Sequence, residues 1–297
     1  MERYAELDGH AEPAPEDQHI DLTPGEIRLR RLMAAGGVAA VVIGLAVGVP
    51  LLTRSEPPAQ WNKPDWAEPV FPFQASWLPP GRAEPTVFRS GPDRTLQYYY
   101  GDGNVLTAEW IARDPTWDHP KTEEHAAVVG DRPATVRTAP GRIGVLWQLA
   151  DGRWMKANGS GGWTEQDVLR FAGGLQPGSV PSGPAPFSFA EVPQGLTLQN
   201  QTPWSACLAT PEKANTVPAP TGLCVSVLEP TFPSEPLPDP QPVTVGGLTA
   251  QYQKYPVGGE MRLDLGGRRT LMIRWEGDIR LDRDGIVRFA SGITAAG

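Results

Sequence analysis

The sequence predicts an α+β protein in which an N-terminal transmembrane helix precedes two tandem repeats, each an antiparallel sheet covered by a C-terminal helix. Three observations support this prediction. A run of 22 residues, 32–53, carries no charged side chain. The phrase "VLRFAGGL" at 168–175 returns almost unchanged as "IVRFASGI" at 286–293. The chain between these landmarks consists mainly of short strand-like stretches separated by turn signals.

The uncharged run is long enough to anchor the chain in a membrane. As a helix it spans roughly 33 Å, and a bilayer's hydrocarbon core is about 30 Å thick. Arg28, Arg30 and Arg31 precede the run, whereas Arg54 alone follows it closely. Because positive charge stays inside, residues 1–31 are predicted to be a short cytoplasmic tail. The sequence therefore predicts a single-pass cell-membrane protein with an uncleaved signal anchor and an extracytoplasmic C-terminal region.

A stripe of small residues runs along one side of the predicted anchor. Gly36, Ala40, Gly44 and Gly48 recur every four residues. This spacing lets two membrane helices approach closely, which favours a homodimer formed through the anchor. The alternative is chance spacing in an Ala- and Gly-rich helix, and the sequence leaves both interpretations open.

The exported region contains the same sequence pattern twice. "PFQASWLPPG" at 72–81 matches "PFSFAEVPQG" at 186–195, and "VVGDRPATV" at 128–136 matches "TVGGLTAQY" at 244–252. "VLWQLADGRWM" at 145–155 matches "RLDLGGRRTLM" at 262–272. Blocks in the same order indicate a duplicated unit. The predicted parts are a Pro- and Trp-rich stem at 54–70, a first repeat at 71–175, a linker, "QPGSVPSGPA", at 176–185, and a second repeat at 186–297.

Turn and cap residues mark the elements of each repeat. In the first repeat "GDGN" at 101–104 and "ADG" at 150–152 separate strand-like stretches, which predicts two hairpins. In the second repeat Gly266 and Gly267 occupy the latter turn, where a positive φ is expected. Thr164 and Asp282 precede the repeated phrases and are predicted to be helix N-caps.

The cysteines Cys207 and Cys224 enclose a loop found only in the second repeat. When the repeats are aligned on the first hairpin, the two residues fall on facing strands. The sixteen residues between them, "LATPEKANTVPAPTGL", replace the short turn of the first repeat. A disulfide at the base of this loop suits an exported protein. Two buried free thiols are the alternative.

The sequence provides no catalytic, metal-binding or cofactor-binding motif, so we expect a protein that is not an enzyme and has no cofactor. "DHPKTEEH" at 118–125 is a metal-site candidate, with a solvated loop as its alternative. "NGSGG" at 158–162 lacks the first glycine of a nucleophile elbow and is interpreted as a loop. "LDRDG" at 281–285 stops short of a calcium loop, and helix capping explains it. The net charge of −8 argues against nucleic-acid partners.

Tryptophan is distributed unevenly between the repeats. The first contains six tryptophans and the second two, Trp204 and Trp275. If all were core residues, two copies of one fold would need similar numbers. Trp110, Trp117, Trp147 and Trp154 are therefore candidate ligand-facing aromatics, and core packing is the alternative. Trp61 and Trp66, in the stem, are expected near the lipid headgroups.

The end of the first repeat, "GRWMKANGSGGWTEQDVLRFAGGL" at 152–175, carries a family resemblance. Its strand with tryptophan, glycine turn, capped start and amphipathic helix resemble exported domains of bacterial single-pass proteins, namely anti-sigma-factor-like proteins and sigma-regulator co-sensors. The resemblance implies an extracytoplasmic sensor or co-regulator, and it carries over no functional residue because the shared motifs are structural. The tail 1–31 departs from the family, since it is too short to form a cytoplasmic anti-sigma domain.

These observations together predict non-enzymatic binding of an envelope ligand or a membrane partner by a membrane-anchored protein. A cell-envelope scaffold or assembly factor is the alternative, and a hydrolase of wall polymers is a further one. A binder requires an apolar or aromatic pocket, a scaffold an exposed docking surface, and a hydrolase paired carboxylates in a cleft.

Overall fold

The computed structural model describes residues 59–81, 83–117, 121, 123–229 and 235–295. The predicted cytoplasmic tail, the anchor with its stripe of Gly36, Ala40, Gly44 and Gly48, and the first residues of the stem lie outside this part of the chain. Among the described residues, no helix combines the length and apolar character that crossing a membrane requires.

Two halves follow the stem strand β1 (Trp61–Asn62). Half one comprises β2 (Val70–Ala75), β3 (Pro85–Ser90), β4 (Asp93–Gly101), β5 (Asn104–Ile111), β6 (Glu123–Val129), β7 (Arg132–Ala139), β8 (Arg142–Gln148), β9 (Trp154–Ser160), α1 (Glu165–Gly173) and β10 (Leu175–Pro181). Half two comprises β11 (Phe187–Phe189), β12 (Val192–Pro193), β13 (Thr197–Thr202), β14 (Ser205–Ala209), α2 (Pro211–Thr216), β15 (Leu223–Leu228), β16 (Gln241–Val245), β17 (Leu248–Lys254), β18 (Gly259–Gly266), β19 (Arg269–Trp275), α3 (Arg283–Ser291) and β20 (Ile293–Ala295).

A single antiparallel sheet of fourteen strands runs through both halves. From the junction outwards, half one has the order β3-β4-β5-β9-β8-β7-β6 and half two the order β13-β14-β15-β19-β18-β17-β16. The halves join because β3 and β13 pair antiparallel, with Ser90 opposite Asn200 and Arg89 opposite Gln201. The sheet is therefore arranged around an approximate two-fold axis at this junction.

The predicted α+β class is wrong. Among the described residues 52% are in strands and 11% in helices, so the protein is mostly β. The sequence also predicted a separate main sheet for each repeat, whereas one fourteen-stranded sheet runs through both halves and three two-stranded sheets accompany it in the described part of the chain. Two physical reasons account for the difference. Stretches interpreted as stem or linker form additional strands, and the first strands of the two halves pair with each other, which strand periodicity cannot reveal.

One nine-residue helix packs in each half, on the face of the sheet that forms that half's core. Thr164 caps α1 and Asp282 caps α3, as predicted, and both side chains accept a hydrogen bond from a backbone N–H of the first turn. Phe171 of α1 is fully buried and meets the ring of Tyr98 on β4 edge to face, with centroids 6.0 Å apart. Phe289 of α3 is buried in the same way. Each half thus has its own apolar core.

The strand registers correct the sequence alignment of the halves by one residue. The block match equated Met155 with Met272. In the structure Met155 lies opposite Trp147, and the corresponding buried pair in half two is Leu271 opposite Leu263. Because successive strand residues face opposite sides, this shift decides which residues are buried. The positive φ predicted for Gly266 and Gly267 is confirmed.

Two segments expected to be irregular form strands. Part of the predicted linker 176–185 belongs to β10, which pairs antiparallel with β2. The stem strand β1 pairs with β12 of half two, and Trp61 and Trp66 pack against the core of that half. Trp66 contacts Phe189 with ring centroids 6.1 Å apart. The headgroup position expected for the two rings stays a prediction.

The disulfide between Cys207 and Cys224 is confirmed. The two residues lie directly opposite each other on β14 and β15. The corresponding cross-strand pair in half one is Gln97 and Thr107. The loop that the disulfide closes contains α2, which packs on β13 and β14. We refer to residues 210–222 of this loop as the bridging segment.

The bridging segment contacts half one at the turn between β3 and β4. Ser90 Oγ donates a hydrogen bond to the carbonyl of Pro218, at 3.0 Å. Gly91 N donates to the carbonyl of Gln199 at 2.8 Å, and the fully buried Gln199 side chain donates to the carbonyl of Val217 at 2.6 Å. Gly91 has φ +60°, and a Cβ there would lie 2.1 Å from Val217 O. The segment therefore links the two halves beside the β3–β13 pair.

Candidate functional site

Half one has two cavities at the ends of β7, β8 and β9. The inner cavity, of about 190 Å³, lies on the core face of the sheet between α1, β2, β10 and Trp147. The outer groove, of about 550 Å³, lies over β7, β8 and the start of β9. Trp147, Leu149 and Arg132 line both, so the end of β8 forms a shared wall.

Small residues at the end of α1 leave room for the inner cavity. Ala172 and Gly173 face Trp147 and Met155 across it, and Phe73 and Leu175 close its sides. Asp131 and Arg132, from the β6–β7 turn, are the charged residues of its lining. An apolar cavity of roughly 150 Å³ is able to hold one benzene ring. The inner cavity has the volume of a single ring, and about half of its lining surface is polar.

Trp154 is the main exposed ring surface of the outer groove. Its Nε1 donates to Asp114 Oδ1 at 3.0 Å, which satisfies the one polar atom of the indole. Leu146, Leu149 and Ala150 contribute further apolar surface. The β8–β9 turn fixes this arrangement, because Leu149 N donates to the carbonyl of Arg153 at 2.8 Å. The groove's volume lies within the range of small-molecule sites, roughly 300–1,000 Å³.

The four candidate tryptophans separate into two pairs. Trp147 is 4% exposed and lines both cavities, and the half-buried Trp154 lines the groove. Trp110 instead lies beneath the guanidinium of Arg153, 3.8 Å from its ring centroid. Trp117 lies beneath Arg137, at 4.6 Å. The structure therefore brings two of the four candidates to the groove and places the other two under arginine side chains.

Core packing accounts for part of the uneven tryptophan distribution. The strand registers place Trp147 where half two has Leu263, and Gly159 where half two has Trp275. Gly159 lies beneath Trp163, whose Cβ would be 3.2 Å from a Cβ at this glycine. Trp163 thus occupies space in half one that the Trp275 ring helps to fill in half two. The excess is not by itself evidence for ligand-facing rings.

Most residues that line the outer groove were not candidates from the sequence. Leu146, Leu149 and Arg132 were not candidates, although the alternation of β8 places Leu146 on the face opposite the core. The signal available in the sequence was an apolar residue on the outer side of a hairpin, beside a tryptophan. Recognising this signal required the correct strand register, and the sequence alignment of the two repeats differs from that register by one residue.

No metal site forms among the described residues. His125 and Glu124 are neighbours in β6 and face opposite sides of the sheet. His125 Nε2 lies 3.0 Å from Glu165 Oε1 of α1, and Glu124 pairs with Arg137 at 2.6 Å. Asp118 and His119 lie outside the described residues. Ser160, predicted to be in a loop, ends strand β9, and Asp282 accepts from Gly285 N at 2.7 Å as a helix cap.

Charged groups lie close together at the β3–β4 turn. Burial raises the pKa of Asp93, and it outweighs the hydrogen bond from Ala112 N and the charges of Arg113, Arg94 and Arg153, which lower that pKa. Burial lowers the pKa of Arg94 to about 10, and the nearby charge of Arg89 acts in the same direction. This end of the sheet therefore concentrates positive charge in a chain whose net charge is −8.

Replacing Asp93 by asparagine is expected to change how stability depends on pH. Because the pKa of Asp93 in the folded protein lies above the ordinary value of 3.8, the protonated side chain is the form that favours folding. This contribution to stability is fully present below pH 3.8 and is lost as the pH rises through the folded pKa. Asparagine keeps an oxygen for the Ala112 N–H. Urea unfolding should therefore show the Asp93→Asn variant gaining stability relative to the wild type as the pH rises above the ordinary pKa of 3.8. The same exchange at the exposed Asp102 is the control, and a difference independent of pH would contradict the prediction.

No family model matches this chain, and no curated protein matches it. The interpretation of its function therefore depends on the geometry described above.

Proposed function

We propose that this protein is a membrane-anchored extracytoplasmic binding protein, whose outer groove holds an apolar group of an envelope ligand or of a membrane partner. The observation that carries the proposal is the groove itself: Trp154, Leu146 and Leu149 present apolar surface at the end of β8. Trp147 separates this surface from the inner cavity. A sensor or co-regulator role would follow if occupancy of the groove were communicated to a partner.

Two features support the extracytoplasmic location. The cross-strand disulfide is of the kind that persists in oxidising compartments outside the cytosol. The uncharged run 32–53, with its excess of arginine on the N-terminal side, supports an anchor whose N-terminus is cytoplasmic. Self-association of that anchor through Gly36, Ala40, Gly44 and Gly48 stays a prediction from the sequence.

A neutral apolar dye provides a direct test of the groove. Residues 56–297 form one compact unit and are suitable for the measurement. Nile red fluorescence should rise on binding to this unit, and Trp154→Ala should weaken the binding about tenfold, because burying an aromatic ring contributes roughly 1.5 kcal/mol or more.

The matched control is Trp204→Ala, at the β13–β14 turn of half two. Trp204 is 60% exposed and does not line the groove, so its removal should leave dye binding within twofold of the wild type. Equal loss in both variants, or no dye binding by the wild type, would reject the groove as a binding site. Mass spectrometry of material retained from solubilised envelopes would then identify the native ligand class.

A cell-envelope scaffold is the second candidate function, and a specific observation favours it. The outermost strands β6 and β16 form the two ends of the fourteen-stranded sheet. Val128 on β6 is 65% exposed, so this edge presents both backbone groups and apolar surface. A stoichiometric protein partner, retained without any small molecule, would favour the scaffold.

The geometry does not favour a hydrolase. Among the described residues, the outer groove has no carboxylate in its lining and the inner cavity has Asp131. A wall-polymer hydrolase requires two carboxylates facing one bond.

A further inference from the structure

A row of arginines crosses the sheet where the two halves meet. Arg89 at the end of β3 lies directly opposite Arg94 at the start of β4. Trp110 lies opposite Arg94 on β5, and the guanidinium of Arg153 stacks on the Trp110 ring at 3.8 Å. Cross-strand partners share a face of the sheet. We call Arg89, Arg94 and Arg153 the arginine row.

The hydrogen bonds of Arg89 and Arg94 in the described structure go to uncharged carbonyl oxygens. Both side chains donate to the carbonyl of Gly91, Arg89 through Nε at 3.3 Å and Arg94 through Nη1 at 3.0 Å. Arg94 Nη1 also donates to the carbonyl of Asp93, at 2.8 Å, and Arg89 Nη2 to that of Ala214, at 3.5 Å. Carbonyl oxygens satisfy donors but do not neutralise charge.

The close approach of the two positive charges of Arg89 and Arg94 is unfavourable unless a negative group compensates for it. Like charges directly opposite each other in a sheet repel, and both side chains are half-buried. Within the described part of the chain, no carboxylate forms an ion pair with either arginine. The negative charge of Asp93 acts on Arg94, but it is shared with Arg113 and Arg153, whose charges also act on Asp93.

The donors left over by these hydrogen bonds fit an oxyanion. A guanidinium has five N–H donors in a planar fork, which matches the oxygens of a phosphate group. In the described structure the hydrogen bonds of Arg94 use Nη1, which leaves Nε and Nη2 for a ligand. Arg89 Nη1 is available on the neighbouring strand in the same way.

We propose that the arginine row binds a phosphate group, held between the guanidinium groups of Arg89 and Arg94. Arg153 lies beside this site and is itself paired with Asp151, with Nε 3.9 Å from Oδ2. The same chemistry belongs to free phosphate, to phosphomonoesters and to the phosphodiester of a lipid headgroup. The site is separate from the outer groove and its test does not depend on the groove, because none of the three arginines lines that groove.

Calorimetric titration of the full chain, kept in a neutral detergent at constant ionic strength, tests this site. Inorganic phosphate should bind saturably, with one site per chain. Arg94→Gln should weaken this binding about tenfold or more, because it removes a bidentate charge-assisted contact. Arg94→Lys keeps the charge without the fork and should give an intermediate loss.

The matched control is Arg142→Gln, which makes the same charge change at an exposed position on the opposite end of β8. Its binding of phosphate should stay within twofold of the wild type. Absence of saturable binding by the wild type would overturn the proposal whether or not any variant folds. An equal loss in Arg142→Gln and Arg94→Gln would also overturn it, since net charge would then explain the effect.

A second titrant distinguishes the sources of the phosphate. Glycerophosphoglycerol carries the diester of a phospholipid headgroup without its acyl chains, so it cannot bind through apolar contacts. Tighter binding of this diester would assign the site to headgroups. Tighter binding of inorganic phosphate would assign it to free phosphate or monoesters. Either result supports the site, and failure of both ligands to bind rejects it.

Discussion

Replacing Cys207 and Cys224 by alanine is expected to lower the free energy of unfolding by about 3 kcal/mol. The disulfide joins residues 17 apart in sequence and closes the loop that carries α2. Without the bond, the unfolded chain gains the freedom that loop closure had removed. The midpoint of urea unfolding measures the effect directly.

Reduction of the wild-type protein is the control for this variant. A reductant should lower wild-type stability by a similar amount and leave the double alanine variant unchanged. Thiols that react with an alkylating reagent before any reduction would contradict the bond, and an unchanged unfolding midpoint in the variant would contradict its effect on stability.

Gly91→Ala should lower the free energy of unfolding by about 3 kcal/mol, through a contact in the other half of the molecule. The new Cβ would lie 2.1 Å from Val217 O of the bridging segment, and backbone cannot move aside as a flexible side chain does. The positive φ of Gly91 adds about 1–2 kcal/mol of strain for any residue with a Cβ. Urea unfolding again provides the measurement.

Gly130→Ala separates these two contributions. Gly130 has φ +64° at the β6–β7 turn, and a Cβ there would meet nothing within 4 Å. Gly130→Ala should therefore lower the free energy of unfolding by only the 1–2 kcal/mol that comes from backbone strain. In the background without the disulfide, the bridging segment is less constrained, so Gly91→Ala should cost less there than in the wild type. Strictly additive effects would show that the segment does not couple the disulfide to the turn.

Local features of the fold follow from the sequence because they depend on neighbouring residues. The N-caps Thr164 and Asp282 are short polar side chains placed before helical spacing, and the chemistry of capping requires no distant partner. The disulfide followed from two aligned hairpin strands with one cysteine on each. The positive φ of Gly266 and Gly267 followed from the turn that joins β18 to β19.

Features that depend on distant pairing were not predictable in the same way. Nothing local in Ser90 or Asn200 indicates that β3 and β13 join two sheets into one. The match of residues 145–155 with 262–272 aligned Met155 with Met272, whereas the strand pairing places Leu271 at the position of Met155. An apparent identity between two positions is weaker evidence than the pattern of burial along a strand.

The candidate sites also divide into features that were visible in the local sequence and features that depend on distant strand pairing. Of the four tryptophans that the sequence selected, Trp147 and Trp154 line the outer groove. The other two, Trp110 and Trp117, lie beneath arginines. The arginine row was not recognised at all, because Arg89 and Arg94 meet only through the β3–β4 pairing, and Arg153 belongs to the turn between β8 and β9.

The β3–β13 pair gives the molecule the form of a dimer contained in one chain. A chain carrying either half alone would leave its first strand as an open edge, and such an edge is a template for a second copy. Two single copies joined along that edge would form an isologous pair, since each contributes the same strand. Covalent linkage of the copies replaces an equilibrium that depends on protein concentration by one that does not. Once the copies are linked, their sequences are free to diverge, and the disulfide loop in one half and the groove in the other are differences that a symmetric pair of identical chains does not permit.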